Sequence, residues 1–586
     1  MDAARLRKPD VLLTKLFLRQ FLENDLISPE ADRSQLLAVV GAIVVSLTLF
    51  ASVFMSFNYV VAVLTPGQAA VLSLNDKYFY LALAMIVTAL VAASQWDAIA
   101  IDPRDAAILE PLPVPAGTIR RAKVSAVAIL GAAVAIAVNA FPSVVFPWLL
   151  VFNFRQLRSI AMLGLMVNHA IVTLAAAAFG YLVVIALRET IAAVLGPRWF
   201  TRVSPWAQGV LIVILGSSLL LLPPAAGRVA ERGFEGWRAM TPPMWFLGAY
   251  EMTAGGVIAD LPRTRMTPRQ ARNDEIASAI YRERRRQFPV LAPRAGAALG
   301  LTFLLAVAAY RWNARRLPSL APAPPPAFRR RWRLGERLAN LLIVRDPAAR
   351  AGFYFTLAAM WRSNTHRLTL ACAASAGCAM ALVALSNSSL QPGGGVSARL
   401  LSMQPLLYGA LLVGFRHVIR VPAELRANWG FQLAWRGRDR AFLAGVKRAA
   451  VVALVLPALA ALLPLFVFVL GPRLAVMHAA LGLAGAIVLL EALMVHYDKV
   501  PFTCTYLPSE NMKALAPIYA IVFLAGASTF ARVQYAALLG GGAIRALLTL
   551  AVVWAVLRVM SAKRARLPYV EFDEAPATFQ RLGLHT

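Results

Sequence analysis

The sequence predicts an all-α fold: a polytopic transmembrane helical bundle of about twelve spans, in two parallel six-helix repeats with interfacial amphipathic helices. Three observations predict it. Apolar residues make up 59% of the 586 and are gathered into long blocks, with a mean hydropathy of +0.64, the composition of a chain that lives in lipid. The short segments between blocks are mostly basic, giving a formal net charge of +30. The order of elements also repeats on either side of one segment that cannot enter a bilayer.

That segment runs from Arg311 to Arg367. It carries Pro318, Pro322 and Pro324–Pro326, then Arg329–Arg331, Arg333 and Arg337. Each arginine at mid-membrane costs about 2.5–3.5 kcal/mol, so the stretch lies in water, and short arginine-rich loops lie on the cytoplasmic side. Residues 311–345 are therefore read as a basic, proline-rich cytoplasmic linker between a first half, 1–310, and a second half, 346–586. The same rule covers the net charge: arginines that flank apolar spans set topology and meet anionic lipid, so the bilayer is the expected partner and nucleic acid is not.

In the first half, Val11–Leu26 alternates Leu13, Leu16, Phe17 and Phe21 with Lys15, Arg19 and Glu23, an amphipathic surface helix. The preceding MDAARLRKPD lacks an apolar core and a cleavage site, so no signal peptide is expected. Leu36–Phe57 and Tyr78–Ser94 are spans, with Asp76 and Lys77 on the outer turn between them. Gln95–Lys123 is a cytoplasmic loop. Val124–Phe152 is a third span that Pro142 and Pro147 can kink or split. Met162–Leu187, Trp206–Leu222 and Leu291–Tyr310 complete six. A long segment, 223–289, lies outside by alternation, with Thr267-Pro268 starting a helix that leads into Ile276, Ile280 and Tyr281.

The second half repeats the plan. Asp346 and Pro347 cap and open a surface helix bearing Phe353, Tyr354, Leu357, Met360 and Trp361. Spans follow at Leu368–Leu385, Leu401–Phe415, Ala449–Leu470, Ala475–Val495, Ala514–Phe530 and Ala543–Val559, a parallel repeat of the kind transporters use. Both termini are then cytoplasmic and the chain belongs in the inner membrane.

Several chemistries lack their residues. None of the eight lysines follows a glycine, so the chain has no P-loop. No serine sits in G-x-S-x-G, and the six histidines never form H-E-x-x-H, so no enzymatic activity is expected. Cys372, Cys378 and Cys504 have neither metal-site spacing nor a disulfide framework. Ion-coupled carriers place carboxylates inside spans. Glu491 is the one acid read well inside an apolar run, where a snorkelling or capping role competes with a relay.

The loop Asp102-Pro-Arg-Asp-Ala-Ala-Ile-Leu-Glu-Pro-Leu-Pro-Val-Pro, followed by Ile119, Arg120, Arg121 and Lys123, resembles the coupling loop of ABC-2-type exporter permeases. There, an acidic L-P-V turn joins the second span to a helix carrying a lysine. The surface helix before the first span, six spans per half and a long outer segment between the fifth and sixth are similar to that family. The resemblance implies a membrane permease subunit that forms the translocation pathway and is powered by a separate cytoplasmic ATP-binding subunit. It implies no cofactor on this chain, and coupling roles for Glu110, Leu112, Pro113, Val114, Arg120 and Lys123. Family members usually carry six spans and dimerise, whereas this chain reads as two such units fused. Two other classes stay open: an ion-coupled secondary transporter, and a membrane enzyme or assembly scaffold using the segment 223–289.

Overall fold

The computed structural model describes residues 9–22, 59, 61–62, 64–99, 109, 111, 113–152, 154, 160–227, 229–232, 236–254, 256–261, 266–316, 333–386, 388, 396–423, 428, 430, 439–495, 497, 500–504 and 510–564. Among them every regular element is a helix. Eleven helices are long and apolar enough to cross a membrane, and each coincides with one expected span. The twelfth expectation, Leu36–Phe57, lies outside the described residues. The chain is an all-α, multi-pass membrane protein, and it divides into two compact units, Met1–Pro324 and Pro325–Thr586.

In the first unit, α1 (Pro9–Leu22) buries Leu13 and Phe17 and leaves Val11, Leu12 and Leu16 exposed. Its apolar stripe is thus shared between protein and surroundings. Helix α2 (Pro66–Ser94) is the most enclosed. It opens with a capping box between Thr65 and Gln68 and with Pro66 in its first turn, which together satisfy end groups and preset the backbone. The expected outer turn at Asn75–Lys77 does not exist: α2 begins at Pro66, and Asn75, Asp76 and Lys77 lie buried inside it. Helix α3 (Ala116–Leu150) stays one helix through Pro142 and Pro147. The stretch Ile160–Ala226 is broken at Gly196, whose φ of 68° and ψ of 170° suit glycine alone. The break yields α4 (Ala161–Pro197) and α5 (Trp199–Pro223).

The expected outer segment folds into the core rather than standing apart. After the short turns Val229–Arg232 and Gly236–Met240 come α6 (Pro242–Ala254) and α7 (Pro268–Arg285), then α8 (Phe288–Arg316). The Thr267–Gln270 capping box starts α7 at the anticipated place. Met244, Phe246, Leu247, Tyr250, Tyr281 and Phe288 join Leu74, Tyr80, Leu81 and Phe146 in one apolar cluster.

The second unit runs α9 (Arg333–Leu338) with a π-turn at Ala339–Ile343, α10 (Pro347–Arg362), α11 (Asn364–Ser386), α12 (Ala398–Val418), α13 (Arg440–Leu470), α14 (Pro472–Met494), α15 (Glu510–Leu539) and α16 (Ala543–Arg564). Of the segment 311–345, residues 311–316 continue α8 and residues 333–345 pack onto the second unit. Asp346 caps α10 by accepting from the backbone N–H groups of Ala348 and Ala349. Helix α10 lies on the start of α13 so closely that a Cβ at Gly352 would overlap the Phe442 carbonyl, and one at Gly445 the Ala349 carbonyl. The same pairing, surface helix on the base of the third long helix, joins α1 to α3 in the first unit.

Candidate functional site

The residues expected to couple to a partner lie where α1 meets the start of α3. Pro115 precedes α3, and its ring blocks the helix from extending backward. Pro113 is exposed, Val114 and Arg120 are half-buried, and Lys123 is buried. Glu110 and Leu112 lie outside the described residues. Lys123 turns inward, its Nζ 4.5 Å from the centre of the buried Phe17 ring on α1. Arg121 stands 3.9 Å from Asp10, and the Thr14 hydroxyl lies 3.5 Å from the Ala122 carbonyl. A solvent-exposed pair such as Arg121–Asp10 contributes little, so Phe17 and Lys123 carry the seam. Of the expected coupling residues, Pro113, Val114 and Arg120 are accessible from outside, whereas Lys123 is buried against α1.

At the same end, α2 is tied to its neighbours just before it delivers the chain to the loop. The Trp96 indole donates to the Ser204 hydroxyl at 2.8 Å, Gln208 donates to the Ala93 carbonyl at 2.9 Å, and Arg188 donates to the Trp96 carbonyl at 2.6 Å. Arg188 is also ion-paired with Glu189, whose carboxylate accepts from Asn313 at 2.7 Å. Arg188 and Glu189 are both buried, and each meets its opposite charge in the helix packing.

The far half of α2 holds a second polar set that hydropathy reading missed. Lys77 pairs with Glu251 of α6 at 2.5 Å, and the other Glu251 oxygen accepts from the Tyr281 hydroxyl of α7 at 2.7 Å. Asp76 accepts from the Tyr59 hydroxyl at 2.7 Å. Asn75 accepts from the Ala230 N–H at 2.8 Å and donates to the Gly227 carbonyl at 3.3 Å. The Gly67 N–H donates to the buried Asp274 of α7 at 2.7 Å, and a Cβ at Gly67 would overlap Ser278. His169 of α4 lies between Tyr80, Phe146 and Tyr250, with Nδ1 3.3 Å from the Tyr250 hydroxyl. A small cleft of about 10 Å³ opens beside Lys77, Glu251, Tyr281 and the turn at Gly256–Ala259. Burial, reinforced by Glu251, raises the phenols of Tyr250 and Tyr281 above the ordinary tyrosine value. Burial, reinforced by Asp76, does the same for Tyr59. All three keep their protons, and Tyr59 and Tyr281 donate them to Asp76 and Glu251. The one signal in the sequence is an Asn-Asp-Lys triplet directly preceding an apolar run.

In the second unit Glu491, the one in-span acid singled out from sequence, neither snorkels nor caps: it is buried and paired with Lys447. The stretch following Lys499 also acquires a structure. Phe502 adopts φ 66°, uncommon for a bulky residue. Its N–H donates to the Ile419 carbonyl, its carbonyl accepts from the Ala423 N–H, and its ring meets Phe355 of α10 and His366 of α11. The chain after α12 is thereby clamped against the surface helix. Comparison with protein-family models found no match, and searches of curated proteins and of solved structures found none that was significant, so the functional reading rests on this geometry.

Proposed function

We propose that this chain is the membrane permease subunit of an exporter, forming the pathway while a separate cytoplasmic ATPase supplies energy. The observation that carries the reading is the base of the first unit. A surface helix is locked to α3 through Phe17 and Lys123, beside a loop stiffened by Pro111, Pro113 and Pro115. Prolines remove backbone freedom, so a push on the loop is passed to α1 and α3 together instead of being absorbed. The lack of a P-loop lysine supports an outside energy source. With its basic loops inside, the chain sits in the inner membrane with both termini cytoplasmic. Glu110 and Arg120 form the rim of the contact, and Leu112 with Val114 its apolar anchor.

The test is Leu112→Ser combined with Val114→Ser in the full chain. The variant should fold and insert as the parent does, yet fail to couple a co-purified nucleotide-binding partner's ATP hydrolysis to transport. Normal coupling by the variant, or purification without any nucleotide-binding partner, would refute the proposal. A second reading, an ion-coupled carrier, is favoured by Asp76, whose carboxylate lies inside α2 and is met by a phenol. Transport in vesicles driven by an ion gradient with no ATPase present would select it.

A further inference from the structure

The turn leading into the second unit sets exposed leucines beside three guanidinium groups. One side of residues 333–345 is bound down. Val344 is fully buried with Phe353, Ala349 and Ala449, and the Tyr354 hydroxyl donates to Asn340 at 3.1 Å. The other side is open and apolar: Leu338, Leu341 and Leu342 are 55%, 64% and 69% exposed. Next to these leucines three guanidinium groups from three places in the chain converge on four consecutive residues. Arg345 donates to the Leu341 carbonyl at 3.0 Å, Arg448 of α13 to the Ile343 carbonyl at 2.8 Å, and Arg350 of α10 to the Val344 carbonyl at 2.9 Å. Among the described residues none of the three is in an ion pair with a carboxylate.

Exposed leucines in a membrane protein need no explanation beyond lipid tails. Three guanidinium groups with no carboxylate partner among the described residues, each donating to a main-chain carbonyl beside those leucines, do. Each has spent one N–H on a carbonyl and keeps others for an acceptor, and guanidinium matches phosphate through paired N–H donors. We infer that the turn Leu338–Arg345, with Arg350 and Arg448, is a binding site for anionic phospholipid. The leucines enter the acyl region and the guanidinium groups take the headgroup phosphate. Charge complementarity commits the occupant to lipid, because Arg345, Arg350 and Arg448 cluster beside the exposed leucines, and clustered basic residues beside a span meet anionic headgroups. The inference does not depend on the exporter reading.

The test uses the full chain with Cys372, Cys378 and Cys504 replaced by alanine and a bimane attached at Leu342→Cys. The protein is placed in phosphatidylcholine vesicles with brominated acyl chains and increasing phosphatidylglycerol. Brominated chains should quench the probe, and more strongly as phosphatidylglycerol rises. Arg345→Gln should raise the phosphatidylglycerol fraction needed for half the effect about fivefold, the weight of one basic group near the surface. A probe at Glu336→Cys, an exposed polar position, reports whether the turn is intact by staying open to aqueous iodide. Quenching at position 342 by iodide rather than brominated lipid, or quenching indifferent to phosphatidylglycerol, would overturn the site. So would a probe shielded from both quenchers, which would mark a protein interface instead.

Discussion

Replacing Glu251 with glutamine removes one charge from a pair that the surrounding protein nearly seals off. The Lys77 and Glu251 side chains are 5% and 1% exposed, 2.5 Å apart, so water cannot take over the role of the lost carboxylate. The Tyr281 hydroxyl can still donate to the glutamine carbonyl, which preserves one hydrogen bond, and the Tyr250 ring, 5.0 Å from Lys77 Nζ, offers partial compensation of about 0.5–2 kcal/mol. The dominant effect is an uncompensated buried ammonium, and breaking a buried pair from one side costs about 3–5 kcal/mol. Unfolding of the full chain in mixed micelles with increasing dodecyl sulfate should therefore show Glu251→Gln destabilised by about that amount. The double variant Lys77→Met, Glu251→Leu removes both charges and should recover most of the loss, since apolar replacement of a buried pair is often neutral or stabilising. A single variant as stable as the parent, or a double variant no better than the single, would refute the view that this pair ties α6 to α2.

Four further outcomes follow from the same geometry. Phe17→Ala should cost about 3–5 kcal/mol at a buried aromatic site and release α1, read as faster tryptic cleavage at Lys15 and Arg19. Gly445→Val should lower folded yield, because the added atoms meet the Ala349 carbonyl and overpacking costs about 1–3 kcal/mol or more. Tyr250 and Tyr281 have folded values raised above the unfolded value of about 10. Their contribution is fully present below about pH 10 and is lost as pH rises further, so Tyr281→Phe should flatten the alkaline fall in stability. A membrane-impermeant maleimide applied to intact cells should label Arg272→Cys and Ser389→Cys but neither Ala321→Cys nor Arg438→Cys, with Asn75→Cys silent because Asn75 is buried. Labelling at Ala321 would invert the topology.

The coupling region shows how sequence and structure divide the work. A proline-stiffened acidic loop followed by arginines and a lysine is visible in the order of residues alone, and so is the amphipathic helix at the N-terminus. What the order does not contain is that Lys123 turns away from solvent onto Phe17, more than a hundred residues upstream. A lysine beside a surface looks the same in sequence whether its stem lies along a neighbouring ring or its ammonium faces water.

The sequence by itself determined the membrane class, the number and placement of nearly all the spans and the capped starts of α7 and α10, because these depend on local terms: run length, arginine position, and Thr, Asp and Pro at helix ends. The tertiary structure decided the fate of charge. Asp76 and Lys77 break the hydropathy of α2 and so read as a turn, yet they remain helical because Tyr59 and Glu251, distant in the chain, complete them. For the same reason the segment 223–289, polar enough to pass for a free loop, places Met244, Phe246, Leu247, Tyr250, Tyr281 and Phe288 in the first unit's core. Hydropathy is summed along the chain, whereas the cost of burying a charge is settled by whichever residue the fold sets opposite it.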